Sequence, residues 1–409
     1  MSEPRSLSQQ VNERILLLLL CGVQFTHIVD FMIMMPLGPQ LMRSMHITPA
    51  AFSFLVSSYA WSSALAGLVA GFLLDRFDRR QAHLVLYVGF ILATVVCGVA
   101  SDYWSLMIGR VLAGAFAGVM SAGTMAILVD VIPVERRGPA MGIVMGAFSL
   151  AAIIGVPFSL YLAAHWGWRV PFLAVAGFAV LMLLVAWQQL PSLRGHMGRA
   201  PLSLVGQLHA IFTPRHHQVA FALMSAVIVS GFLIIPFLSP SLVANVGVKE
   251  SELPWVYIAG GIPTLFTAPL IGRWSDRFGA GKVFTLVALC AMPAMLLTTC
   301  LYGPMPLWLA LLVSTSFMIL VSGRFTPLMS LTSRVAEPHL RGSFMSFINV
   351  FRDLSSGAGA AIAGAILLKD DAGHLLRFPW VGALSMGVSL LAIMLALWLS
   401  RLLQAQVRA

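Results

Sequence analysis

The chain has 409 residues, of which 59% are apolar and only 10% are charged. A soluble domain carries about 25% charged residues, and a single water-soluble core could not bury this much apolar surface, so the composition excludes a soluble globular protein and indicates a chain that sits in lipid. The net charge of +10 does not indicate nucleic-acid binding, because the basic residues form short clusters between apolar runs, a pattern typical of membrane topology signals.

A membrane-spanning helix needs about 20 mostly apolar residues. This criterion predicts twelve transmembrane helices, at 15–41, 51–74, 83–101, 104–128, 138–164, 169–190, 218–243, 253–275, 282–302, 306–331, 342–368 and 378–401. The first run lacks a signal-peptide cleavage site and is longer than a signal-peptide core, so we expect it to be retained. The four cysteines lie inside apolar runs without metal-ligand spacing, and no metal or cofactor is expected.

The first predicted helix carries polar residues deep in its apolar run. Asp30 lies about 15 residues from the start, roughly 22 Å along the helix. His27 precedes it by three residues and shares its face, and Gln24 lies one further turn inward. A charge at the bilayer centre costs about 2.5–3.5 kcal/mol, so Asp30 requires a structural or functional reason. Phe31 and Met34 are candidates to line an adaptable pocket, with ordinary packing or lipid contact as the alternative.

A repeat divides the chain into two halves. Gly71 and Asp75-Arg76 follow the second predicted helix, and Gly272 and Asp276-Arg277 follow the eighth with the same spacing, 201 residues later. The longest connection, 191–217, contains several Pro and Gly residues and is interpreted as a cytoplasmic linker. The sequence therefore predicts an N-terminal six-helix bundle at 1–190 and a C-terminal six-helix bundle at 218–409.

The fourth predicted helix contains a second buried charge. Arg110 lies about six residues into this helix, which is predicted to start outside, so it is roughly 9 Å from the outer edge. In a hydrocarbon core of about 30 Å, Asp30 and Arg110 then lie at a similar depth. They are expected to pair if the two helices line one cavity. A purely structural ion pair without a transport role is the alternative.

Small residues and a proline mark the fifth predicted helix. Gly142 and Gly146 are four residues apart and predict a face on which another helix packs closely. Pro157, two residues after Gly155, lacks a backbone donor and predicts a kink. The functional interpretation is a flexible, tightly packed seam between the two halves. The alternative is that Gly and Pro are simply more frequent in membrane helices.

The second half also carries charges in its predicted helices. Depth counting places Asp353 near the middle of the membrane and Arg324 nearer the cytoplasm, so no pairing between them is predicted. Adjacent residues do not share a helix face, so Arg352 and Asp353 are expected to point in different directions, and Asn349 can accompany either one. With Gln24 of the first helix, the residues Arg324, Asn349, Arg352 and Asp353 are candidates to line the substrate cavity, and Arg352 is a candidate to attract an anionic substrate group. A buried pair that fixes helix packing is the alternative.

An even number of helices puts both termini on one side of the membrane. With cytoplasmic termini, most of the 25 Lys and Arg residues fall in cytoplasmic segments, as the positive-inside rule requires. The predicted fold is therefore an all-α integral membrane protein with twelve transmembrane helices in two six-helix bundles and both termini in the cytoplasm.

Three motifs give the chain a resemblance to the major facilitator superfamily over essentially its whole length. GFLLDRFDRR at 71–80 resembles the signature loop G-x-x-x-D-R-x-G-R-R, with Asp78 in place of the usual glycine. SLMIGRVLAG at 105–114 resembles the fourth-helix motif of proton-linked members. Gly142, Gly146 and Gly155-Val-Pro157 resemble the fifth-helix motif of antiporters, in the form found in the drug and sugar efflux branch that includes arabinose-efflux-like permeases.

This resemblance implies the major facilitator fold, with the first and fourth helices lining one cavity. It also implies a conformational latch that holds the cytoplasmic side closed, formed by Gly71, Asp75, Arg76 and Arg79, with an ion pair from Arg79 to Asp130 and with Asp276 as the counterpart in the second half. A carboxylate at this position can face the positive N-terminus of a neighbouring helix. The alternative is that the arginines act only as topology anchors.

The function that follows is secondary active transport. We expect a proton-coupled antiporter that exports small drug-like or sugar-like molecules by alternating access, with Asp30 carrying the proton and Arg110 and His27 assisting. A facilitator or lysolipid carrier of the same fold, without proton antiport, and a non-transporting receptor are the alternatives. No nucleotide-binding or hydrolase motif is present, so no enzyme activity is expected. The expected partners are protons, a small molecule and the bilayer of a bacterial inner membrane, with the chain acting as a monomer.

Overall fold

The computed structural model describes residues 13–73, 77–133, 136–190, 204–337 and 340–408. In chain order the first helices are α1 (Glu13–Ile33), α2 (Gly38–Ser44), α3 (Pro49–Leu73), α4 (Arg79–Val99), α5 (Tyr103–Val131), α6 (Arg137–Met145), α7 (Ala147–Leu150), a π-helical turn (Ala151–Gly155), α8 (Val156–Trp166) and α9 (Arg169–Gln189). They cover the first six predicted membrane helices.

The remaining helices cover the predicted linker and the last six membrane helices. They are α10 (Leu204–Phe212), α11 (Arg215–Phe232), a 3₁₀ turn (Ile235–Phe237), α12 (Leu238–Ala244), a 3₁₀ turn (Glu250–Glu252), α13 (Leu253–Phe278), α14 (Ala280–Thr299), α15 (Leu307–Gly323), α16 (Phe325–Thr332), α17 (Arg341–Ile366) and α18 (Phe378–Arg408). An antiparallel hairpin of β1 (Leu368–Lys369) and β2 (Leu375–Leu376) separates the last two helices.

Within the described ranges, eleven helical spans are long and apolar enough to cross a membrane. The remaining predicted span is α17, which has 26 residues and is therefore about 39 Å long. It is more polar because it contains Arg352 and Asp353. The prediction of an all-α integral membrane protein with membrane-spanning helices is confirmed. The cytoplasmic location of the termini stays a prediction.

The chain forms two compact units whose boundaries differ from a simple split at the linker. The first unit extends to Met34 and resumes at Ser58, whereas the second comprises 35–57 together with the chain from residue 200 onward. The segment 35–57, which contains α2 and the start of α3, thus packs with helices that follow it by about 200 residues. The predicted bundle boundaries at 190 and 218 stay predictions.

Glycines bring α5 close to α3 in the first unit. A Cβ atom on Gly114 would lie 2.3 Å from the main-chain oxygen of Tyr59, and one on Gly118 would lie 2.2 Å from that of Ser63. Because such distances are too short for any Cβ, only glycine permits this approach of the two helices. The close packing positions Tyr59 against the turn of α5 that carries Arg110.

The fifth predicted helix is interrupted twice. It breaks at Gly146, between α6 and α7, and then forms the π-helical turn that ends at Gly155. Pro157 cannot donate a backbone hydrogen bond, which favours an irregular turn just before it. A Cβ on Gly155 would lie 2.4 Å from Val29 Cγ2, so this turn packs tightly on α1 beside Asp30. By contrast, a Cβ on Gly142 would meet open space, and the seam between the two halves predicted for Gly142 and Gly146 stays a prediction.

In the predicted topology, the β-hairpin between α17 and α18 lies at the outer end of the second unit. Leu375 of β2 donates its main-chain N–H to Asn245 Oδ1 at 2.7 Å and accepts a hydrogen bond from Asn245 Nδ2 at 3.0 Å. At the turn, His374 Nδ1 lies 3.0 Å from Asp370 Oδ2. Hydrogen bonding by the His374 side chain and main chain holds the pKa of the Asp370 carboxyl below its usual range.

Candidate functional site: a buried ion pair in the first unit

The centre of the first unit contains an ion pair that is fully removed from solvent. Arg110 Nη1 on α5 lies 3.0 Å from Asp30 Oδ2 on α1, and it also donates to the main-chain oxygen of Asp30 at 3.0 Å. Both side chains are 0% exposed. A buried charge is tolerated only when it is paired and hydrogen-bonded. The two residues that depth counting assigned to one level of the membrane therefore lie together in the structure.

Tyr59 on α3 packs against the Arg110 guanidinium of this pair. Its ring centroid lies 4.3 Å from Arg110 Cζ, a cation–π contact, and its hydroxyl donates to the main-chain oxygen of His27 at 3.1 Å. The ring of Phe31 packs on it, with 5.3 Å between centroids. Tyr59 was not among the residues predicted from the sequence. Its hydroxyl inside an apolar run was the available signal, because a buried tyrosine hydroxyl usually requires a partner.

We expect substitutions of Tyr59 to separate its two contacts. Tyr59→Phe keeps the ring over Arg110 and loses one hydrogen bond, at a cost of about 1 kcal/mol. Tyr59→Leu also removes the cation–π contact, which is worth about 2 kcal/mol when desolvated. The thermal midpoint in detergent should therefore fall further for Tyr59→Leu, and the pH profile of transport should change only in that variant. Equal effects of the two substitutions would show that the ring does not hold Arg110.

Residues of α4 face the same pair. Thr94 lies within interaction range of the Asp30 carboxyl, and Cys97, one turn later, lies near both charges. In the part of the chain that the structure describes, Asp30 Oδ1, Arg110 Nε and Nη2, and the Thr94 hydroxyl make no hydrogen bond. Such a group of buried polar atoms is the kind of place where an internal water binds, because it offers several partners. Neither α4 residue was predicted from the sequence, because each reads as an ordinary member of an apolar run.

The other candidates on α1 have different surroundings. His27 Nε2 lies 2.6 Å from Gln24 Oε1, so these two residues contact each other one turn from Asp30. Gln24 is buried, whereas His27 and Phe31 are half-buried. Met34 is 0% exposed and belongs to the packed interior. The assignment of Gln24, Phe31 and Met34 to a substrate cavity stays a prediction.

The signature loop is only partly described. Asp75 and Arg76 lie outside the described residues, and Gly71 lies in the last turns of α3. Arg79 Nε lies 2.5 Å from Asp130 Oδ2, which joins the start of α4 to the end of α5. Asp78, which replaces the usual glycine, accepts a hydrogen bond from the main-chain N–H of Arg80 at 2.9 Å and caps α4.

The candidate residues of the second half do not form one cluster. Asp276 is exposed in the last turn of α13, and Asn349 is exposed on α17. The expectation that Arg352 and Asp353 point in different directions is wrong, because Arg352 Nε lies 3.0 Å from Asp353 Oδ1. The long arginine side chain folds back along the helix and reaches its neighbour. Arg324, in contrast, is buried at the junction of α15 and α16.

Membrane-spanning helices around a desolvated ion pair define a polytopic membrane protein with a charged interior, an arrangement characteristic of transport proteins. The family model of the Major Facilitator Superfamily matches residues 20–196 and 219–408, and the chain belongs to this family of transporters. Its members carry small molecules and work as single chains. The predicted membership of this superfamily is confirmed.

Relatives and solved structures agree with this assignment. The inner membrane transport protein YdhP of Escherichia coli is 28% identical over 88% of this chain and 91% of its own length. A probable sugar efflux transporter of Helicobacter acinonychis is 23% identical over 86% of each chain. The fold is similar to that of a bacterial homolog of the human lysosomal transporter Spinster, at a TM-score of 0.74 and 16% identity, over 94% of this chain and 96% of that one. The protein is a bacterial inner-membrane transporter.

Proposed function

We propose that the protein is a proton-coupled antiporter that exports small organic molecules by alternating access of two six-helix halves. The observation that carries the proposal is the fully buried Asp30–Arg110 ion pair. A purely structural pair would stabilise little, because desolvation of both charges offsets their attraction. A titratable carboxylate in lipid, held by one cation, instead gives the chain a group whose charge can change during transport.

The proposed cycle uses the protonation state of Asp30. When Asp30 is deprotonated, Arg110 compensates its charge and α1 is held on α5. Protonation removes that charge, so Arg110 loses its ionic partner and the two helices separate more easily. Several buried polar atoms of Asp30, Arg110 and Thr94 lack hydrogen-bond partners among the described residues. They support the proposal that water enters here and delivers the proton. We propose His27, which is half-buried one turn away, as the residue that relays it.

Substrate recognition is proposed for the partly exposed candidates. His27 and Phe31 on α1, and Asn349, Arg352 and Asp353 on α17, all retain exposed surface. Gln24 would act through His27, and the fully buried Met34 would contribute only after a rearrangement of α1. The probable sugar efflux transporter among the relatives supports sugar-like cargo, and export as the direction of transport.

We also propose two gates, one at each side of the membrane. At the cytoplasmic side, the Arg79–Asp130 pair and the Gly71–Arg76 loop would form the latch, with Asp276 as its counterpart. At the outer side, the segment 35–57 packs on later helices: Phe52 contacts Phe237 edge to face at 5.7 Å, and Ser57 Oγ donates to the main-chain oxygen of Gly357 at 2.7 Å. These contacts lie within the second unit, of which 35–57 is a part.

The outer gate depends on a glycine. A Cβ on Gly364 of α17 would lie 2.0 Å from Ser53 Oγ, so we expect Gly364→Val to prevent closure and to lower transport at least about tenfold. The measurement is labelling of a cysteine at Ser57, which is 0% exposed, with a membrane-impermeant maleimide in a background without the native cysteines. Labelling should rise with Gly364→Val and stay low with the control Gly387→Val, where a Cβ meets open space. Unchanged labelling and transport would contradict the gate.

The proposed function is tested with purified protein in proteoliposomes. A panel of sugars, drug-like compounds and lysolipids is loaded, and efflux is measured with and without an imposed pH gradient. Antiport predicts efflux that depends on the gradient and disappears with an uncoupler. Efflux that depends neither on the pH gradient nor on the uncoupler would favour the facilitator alternative. An absence of transport across the whole panel would favour a receptor.

A further inference from the structure

The second unit contains a buried cation without a counter-ion. Arg324 is 1% exposed, and in the part of the chain that the structure describes no carboxylate forms an ion pair with it. Arg110, the other fully buried arginine of the described residues, is paired with Asp30. An uncompensated charge in a membrane helix is unfavourable, and such residues are characteristically functional.

Neutral groups satisfy only one side of the Arg324 guanidinium. Nη1 donates to Ser230 Oγ at 2.9 Å and to Ser389 Oγ at 3.1 Å, and Nε donates to the main-chain oxygen of Val321 at 3.3 Å. Neither N–H of Nη2 has an acceptor among the described residues. The hydroxyls orient the group without neutralising it, because a serine supplies a dipole and not a charge.

Two helix interruptions meet at this group. Arg324 itself occupies the break between α15 and α16, and α11 ends at Phe232, three residues before the start of the 3₁₀ turn that contains Pro236. Interrupted helices of this kind form ion and substrate sites in membrane transporters, because the broken turns leave backbone groups free. Gly231 lies beside Nη2: a Cβ there would sit 3.7 Å from Nη2 and at ordinary contact distance from its other neighbours.

We propose that Arg324, held by Ser230 and Ser389, is an anion-binding site that takes a monovalent anionic group at its Nη2 edge beside Gly231. The anion is either inorganic chloride or the carboxylate of a transported molecule, and both provide the lone pairs and the single charge that the guanidinium lacks. A role in substrate recognition rests on the transport function proposed above, whereas anion binding itself can be measured without transport.

The binding test uses the thermal midpoint of the purified full-length protein in detergent. Sodium chloride and sodium acetate are titrated separately into the wild type and into Gly231→Ala, Arg324→Gln and the control Gly387→Ala. Gly231→Ala fits the packing but covers Nη2, so its midpoint without added anion should equal that of the wild type. We expect the midpoint of the wild type and of the control to rise by several degrees with the bound anion, and that of the two site variants to rise much less.

The outcomes separate the source of the anion. A rise with chloride alone assigns an inorganic ion, and a rise with acetate assigns carboxylate recognition. Equal rises in the wild type and Gly231→Ala overturn the site, even if Arg324→Gln proves too unstable to purify. In proteoliposomes, Gly231→Ala should lower efflux of carboxylate substrates relative to their amides at least about tenfold if the anion is cargo. Loss of pH-driven transport in the wild type would instead refute the proposed function and leave the anion titration valid.

Discussion

Asp30→Asn is expected to abolish transport driven by a pH gradient while the protein still folds. Asparagine has the shape of aspartate but cannot exchange a proton, so the coupling step is lost. Folding should survive because Arg110 Nη1 also donates to the main-chain oxygen of residue 30, which the variant keeps, and because Tyr59 still covers the guanidinium. The expected loss is at least about a hundredfold, as is typical when a proton-transfer group is removed.

The measurement is gradient-driven efflux from proteoliposomes at matched protein content. Size-exclusion profiles establish that the variant is folded, and counterflow of labelled against unlabelled substrate, which needs no proton gradient, should be retained. Asp371→Asn serves as the control because this carboxylate is exposed near the β-hairpin. Gradient-driven efflux at the wild-type rate in Asp30→Asn would remove Asp30 from the mechanism.

Arg110→Gln is expected to have the largest effect on stability. It leaves the Asp30 carboxylate buried without a counter-charge, which costs about 3–5 kcal/mol of folding free energy when one partner of a buried pair is removed. Transport should be lost as well. The double variant Asp30→Asn with Arg110→Gln should recover much of the stability, because two neutral amides can hydrogen-bond to each other.

The double-mutant cycle measures this coupling directly. Unfolding of the wild type, both single variants and the double variant is followed in the same detergent over one range of temperature. Recovery of stability without recovery of gradient-driven transport is the expected combination. Additive losses in the double variant would mean that the two side chains stabilise the protein independently of each other.

The membrane helices could be predicted from the sequence because lipid imposes a length and a composition on each one. Their interruptions could not be placed in the same way. Pro157 signalled irregular backbone, and Pro236, which lies in a 3₁₀ turn, was not singled out. Whether a proline gives a kink, a π-helical turn or a 3₁₀ turn depends on what packs against it, as Val29 packs on Gly155. The break at Arg324 lies between Gly323 and Pro327, which cannot donate a hydrogen bond to the Gly323 carbonyl, but this junction was not predicted from the sequence.

For the candidate site, the sequence predicts only the depth of each residue in the membrane. Counting residues gives the depth of Asp30 and Arg110, and these two residues lie together. Counting does not give the rotation of a helix, so Tyr59 and Thr94 were missed although both face the pair. Likewise, the packing of 35–57 on the second unit depends on long-range contacts that no local pattern encodes.

The central claim is that Asp30 carries the exchanged proton, and substrate-induced proton release tests it most directly. Purified protein in weakly buffered detergent solution is mixed with a substrate identified in the efflux panel, and the pH change is recorded with an indicator dye. At a starting pH at which Asp30 is protonated, we expect wild-type protein to release a proton when substrate binds, and we expect Asp30→Asn, although it binds the same substrate, to release none. Equal proton release from both proteins would contradict this claim.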